Sequence, residues 1–75
     1  MLATLQSWVG QCVVVHAPNT VVRGVLQQRV GGFLHELSGG EPHFQVETGE
    51  AKAFFGLCDL KAVVQPHSER TIWLE

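Results

Sequence analysis

Apolar and polar positions along this chain fall into short stretches with distinct periods. Leu2, Leu5, Trp8 and Val9 recur at three- and four-residue spacing, and Gly10 follows, a residue type that commonly ends helices in a left-handed conformation. The spacing predicts a short helix over 2–9. So brief a helix is unstable alone, and its apolar side must dock, most simply on the open end of a barrel. Residues 11–17 are rich in β-branched side chains and predict a strand, 18–20 a turn, and 21–29 a second strand antiparallel to the first. Val13 and Val15 then face inward with Val22, Gly24 and Leu26, leaving Cys12, Val14, His16, Arg23, Val25 and Gln27 outward. Gly24 interrupts this alternation in mid-strand, with Val22 and Leu26 two positions away on either side. A glycine so placed marks a strand that bends where no Cβ fits, the construction of a small barrel.

Further along, Gly31 and Gly32 break the pattern before 33–37, which either extends the second strand past a bulge or forms a short strand of its own. A loop over 38–42 leads to 43–47, where Phe44 and Val46 alternate with His43, Gln45 and Glu47 in the manner of a half-buried strand. A tight connection carrying Gly49 joins this to a strand over 51–55. A single helical turn over 56–60 then leads to a last strand over 61–65, which Pro66 ends. The expected unit is therefore a bent five-stranded antiparallel barrel over 1–65, with a tail over 66–75. Three large apolar residues, Ile72, Trp73 and Leu74, close the tail. It either adds as a strand to a partner's sheet edge or folds back over its own barrel end.

Composition points toward association. The chain has 75 residues, 45% apolar and only 16% charged, against about 25% charged in an average globular chain. A core this small gains from a second subunit. Lys and Arg total five against seven Asp and Glu, a formal charge of −2, which removes the general attraction that nucleic-acid binders rely on. Cys12 and Cys58 are too few and too far apart for a disulfide framework and read as reduced thiols. The first residues show no secretory signal and no run approaches membrane-spanning length, so a cytoplasmic protein is expected.

The succession of a short helix, V-G-Q-C-V-V-V, V-R-G-V-L, two further strands and a one-turn link into L-K-A-V-V resembles the Sm-like barrel, the LSm and Hfq type, itself related in shape to SH3 barrels. The chain's last strands are also similar to small uncharacterised bacterial domains that end in an L-K-A-V strand. The Sm-like resemblance covers 2–65. It implies a homo-oligomeric ring, the fourth strand of one subunit pairing with the fifth of the next, and in many members single-stranded RNA bound around the pore. RNA-binding members carry an aspartate and an asparagine between the second and third strands, where 28–35 here has neither. They also carry an Arg-Gly or Lys-x-His signature between the last two strands, where this chain has Phe55, Gly56, Leu57, Cys58 and Asp59.

The residues themselves support no catalytic or metal-binding constellation. His16, His35, His43 and His67 and the two cysteines fit no closed tetrahedral spacing and read as surface or interface groups. Ser7, Ser38 and Ser68 lack a local histidine and acid. Cys58 has the acidic Asp59 beside it, where activation to a thiolate calls for a cation, and reads as a small buried apolar residue under the helical turn. No motif calls for a cofactor, and the glycine pairs 31–32 and 39–40 lead into no helix. Arg23, Arg29, Lys52 and Lys61, with Phe33 or Phe54 as a stacking platform, are the residues an RNA contact would use. Ala53, Phe54, Phe55, Val63, Val64, Ile72 and Trp73 are the candidate oligomer interface, and Gly10, Gly24 and Gly49 the structural glycines. The expected function is a non-catalytic assembly module that binds itself, with 72–74 as the candidate contact for another protein. An RNA-binding ring is the first alternative and a small thiol-dependent enzyme using Cys58 the second.

Overall fold

In the computed structural model, which describes residues 2–29, 42–65 and 69–75, one short helix packs against a strongly curled six-stranded sheet. Helix α1 spans Leu2–Trp8 and buries Leu5 and Trp8 in the core. It stops one residue short of the expected end, so Val9 turns out to solvent. Gly10 follows with φ +87°, the left-handed conformation expected of it. Its N–H donates to the Leu26 carbonyl at 2.9 Å, and Gln11 N–H donates to the Trp8 carbonyl at 2.9 Å, so the helix end is tied directly to the sheet.

The strands are β1 (Cys12–Ala17), β2 (Thr20–Arg29), β3 (His43–Glu47), β4 (Lys52–Gly56), β5 (Leu60–Val64) and β6 (Thr71–Leu74), in the spatial order β4-β3-β2-β1-β6-β5. β2 pairs with β1 over 20–25 and with β3 over 25–29, so its two halves belong to two parts of the sheet that share only Val25. Gly24 lies at this handover. A Cβ there would sit 2.6 Å from the Glu47 carbonyl oxygen, closer than non-bonded atoms approach, so the bend depends on glycine. Inside the curl lies one core of Leu5, Trp8, Val13, Val15, Val22, Leu26, Phe44, Val46, Ala53, Phe55 and Ile72. The inward alternation read from β1 and β2 holds at each of these positions.

Two expectations need correction. The sheet has six strands instead of five and is mixed: 71–74 is a strand, inserted between β1 and β5, parallel to β1 and antiparallel to β5. Of the two fates open to the tail, folding back onto its own sheet is the one observed, because Ile72 finds a fully buried place beside Val15 and Val63. Val14 is the second. It faces outward as expected, between Arg23 and Thr71, yet is only 4% exposed because β6 lies alongside it. The segment 33–37, the glycine pairs 31–32 and 39–40, and Phe33, His35, Ser38, Pro66, His67 and Ser68 lie outside the described residues.

Candidate interaction surface

Strand alternation leaves one face of the curled sheet outside, and its residues align in rows across the strands. Val21, His16, Trp73 and Ala62 form one row over β2, β1, β6 and β5. Gln27, Gln45 and Phe54 form another over β2, β3 and β4. Each row carries one large exposed aromatic close to an edge of the sheet: Trp73, 42% exposed, on the strand beside β5, and Phe54, 39% exposed, on β4 itself. Each is backed by a histidine. His16 stacks on Trp73 with ring centroids 4.1 Å apart and planes within 17°, and His43 stacks on Phe54 at 5.5 Å and 9°. These two histidines, which sequence spacing left without a role, act as planar supports that hold the aromatics in place.

Beside Trp73, an open cleft of about 490 Å³ is lined by His16, Ala17, Pro18, Lys61, Trp73, Leu74 and Glu75. At the opposite end of the sheet Gln45 is 4% exposed although it belongs to the outer face. Its amide nitrogen donates to Gln27 Oε1 at 3.2 Å and to Glu47 Oε2 at 3.4 Å, while its buried Oε1 accepts no hydrogen bond from any described residue. No sequence signal distinguishes Gln45 from an ordinary solvent-facing position in an alternating strand.

The candidate interface residues separate by face. Ala53, Phe55 and Ile72 point into the chain's own core and Val63 packs against it, so their side chains are not offered to a partner. Phe54, Val64 and Trp73 are exposed on the outer face. β4 and β5, expected as edge strands, are the two edges of the sheet, and each presents one side of its backbone unpaired by any described strand. Neither contains proline, and each has a single lysine, Lys52 or Lys61.

The cations proposed for RNA are dispersed. Arg23 forms an exposed ion pair with Glu69 at 2.9 Å. Arg29 is six residues further along β2, Lys52 lies opposite Glu47, and Lys61 is on the other edge strand. Cys58, expected to be buried under the turn, is exposed instead. The turn, a single 3-10 turn over Leu57–Asp59, directs Leu57 to the core and leaves Cys58 and Asp59 outside. Asp59 organises the turn by accepting the Gly56 N–H at 2.9 Å. Among the described residues no group of three or more His, Cys, Asp or Glu could hold a metal ion, and no helix is long and apolar enough to cross a membrane. Comparison with protein-family models, with curated proteins and with solved structures finds no match to this chain.

Proposed function

We propose that this chain is a non-catalytic assembly module of the Sm-like kind, which joins copies of itself by pairing β4 of one subunit with β5 of the next. The observation that carries this reading is that the two edge strands of one curled sheet, β4 and β5, are each left unpaired on one side by the described strands. Neither contains proline, each has one lysine, and the bulge in β5 is confined to its start, between Leu60 and Ala62. An edge strand in water satisfies its backbone groups with solvent. Pairing two edges replaces that solvent with a ladder and covers the apolar side chains beside it, Phe54 on one edge and Val64 on the other.

Because β4 and β5 are different surfaces, their contact is heterologous, and repeated copies close into a ring or grow into a filament. With β6 held inside the sheet, an exchange of tails is not needed to satisfy 72–74, which favours the ring over a tail-swapped dimer. Light scattering after size exclusion, from a few micromolar upward, should give a mass of five or more subunits. A monomer mass at every concentration would overturn the reading, and a dimer would return the tail to consideration.

A further inference from the structure

We infer that Phe54 of one subunit packs over Ala62 of the next and against its Trp73, in an antiparallel β4–β5 contact that sets Phe54 opposite Ala62. The inference rests on the assembly reading above and adds its register.

The first constraint is the continuity of faces. Side chains alternate along a strand, so when two edges pair, outward residues must meet outward residues. On β4 the outward residues near the middle are Lys52 and Phe54, since Ala53 and Phe55 are buried in the core. On β5 they are Ala62 and Val64, opposite Trp73 and Thr71 of β6, and Lys61, the extra residue of the bulge between Leu60 and Ala62, while Leu60 and Val63 face the core. Phe54 therefore meets Ala62 or Val64.

Charge selects the direction. In a parallel pairing with Phe54 at Ala62, Lys52 would fall opposite Leu60, diagonal to the outward Lys61 of the bulge, and like charges so near repel. Antiparallel pairing sends the lysines to opposite ends, with Lys52 opposite Val64.

Size selects the register. Ala62 is the smallest outward residue on β5 and is flanked on its inner side by Trp73. Strands lie about 4.8 Å apart, so Phe54 of the next copy would stand about 9.6 Å from Trp73 across Ala62. Two large rings leaning over a methyl group from that distance can come into contact. Each ring is already held from the other side by its histidine. The alternative antiparallel register, Phe54 opposite Val64, would leave Trp73 and the cleft beside it uncovered and would shorten the ladder.

The test uses the full chain with Cys12→Ser and Cys58→Ser as background, with folding confirmed by circular dichroism. Phe54→Cys with Ala62→Cys should give a ladder of covalent multimers on mild oxidation, whereas Lys52→Cys with Ala62→Cys should give several-fold less. A second measurement needs no substitution. Trp8 lies in the core, so acrylamide-quenchable emission reports Trp73, and it should fall as the protein is concentrated through its association range. Multimers by light scattering with crosslinking favouring 52–62, or with Trp73 equally quenchable at all concentrations, would overturn the register and leave the assembly reading standing. A monomer mass throughout would overturn both.

Discussion

At the scale of single residues, the three glycines singled out by sequence have three different roles. Gly24 is required by space: Gly24→Ala places a methyl group against the Glu47 carbonyl, and relief requires backbone movement. The expected cost is about 1–3 kcal/mol, more for valine, read as a lower midpoint in urea unfolding. An unchanged midpoint would mean that β2 does not bend there. Gly10 is required by conformation, since φ +87° disfavours any Cβ although nothing stands within 4 Å. Gly49 is required by neither, because it has no positive φ and open space around it. The turn is held by its neighbour: Thr48 Oγ1 accepts the N–H groups of Glu50 at 3.3 Å and Ala51 at 3.2 Å, while Thr48 N–H donates to the Ala51 carbonyl at 2.8 Å. Gly49→Ala should therefore shift stability by less than about 0.5 kcal/mol. Thr48→Val should cost about 1 kcal/mol by the same unfolding measurement.

At the scale of elements, β6 decides whether the curl is complete. It is only four residues long and pairs with β1 over three positions, yet it carries the fully buried Ile72 and separates β1 from β5. Ile72→Ala should cost about 2–5 kcal/mol, a large part of the stability of so small a domain. Trp73→Ala removes an exposed ring and should cost markedly less. Thermal unfolding of the two variants, compared with the unaltered chain, checks the order, and equal losses would contradict the placement of β6. The contrast also shows what sequence could and could not convey. β1 to β5 were legible within a residue or two because each has several alternating or β-branched positions bounded by Gly, Pro or a polar turn. In β6 Ile72 is the one fully buried core residue, with Leu74 partly buried beside it, so four residues give barely one alternation to read, and a polar stretch separates them from β5. The exposed aromatics were visible as residue types. Their support by His16 and His43 was not, because the first contact joins strands far apart in sequence and the second runs diagonally across the β3–β4 pair, off the direct register.

At the scale of the whole molecule, the question is whether its surface is built for protein or for nucleic acid, and salt separates the two. Single-strand binding that releases counterions changes log K by about −0.7 per neutralised phosphate for each tenfold rise in salt. The chain has five Lys and Arg, and Arg23 already faces Glu69. Even if the other four all met phosphates, the slope would reach about −2.8, and their dispersal over separate strands leaves no single strand of RNA able to meet them together. An edge-to-edge contact depends instead on backbone pairing and apolar cover, and any exposed ion pair at its rim adds no more than about 1 kcal/mol. The expected outcome is therefore a multimer whose mass holds from low salt to about 0.5 M, where the Debye length has shrunk well below the roughly 8 Å of physiological salt. In the same series, an oligouridine or oligoadenine strand should leave the elution position unchanged at physiological salt. Binding of either strand with a slope near −2.8 would assign the outer face to RNA, and loss of the multimer at high salt would show that charge holds the subunits together.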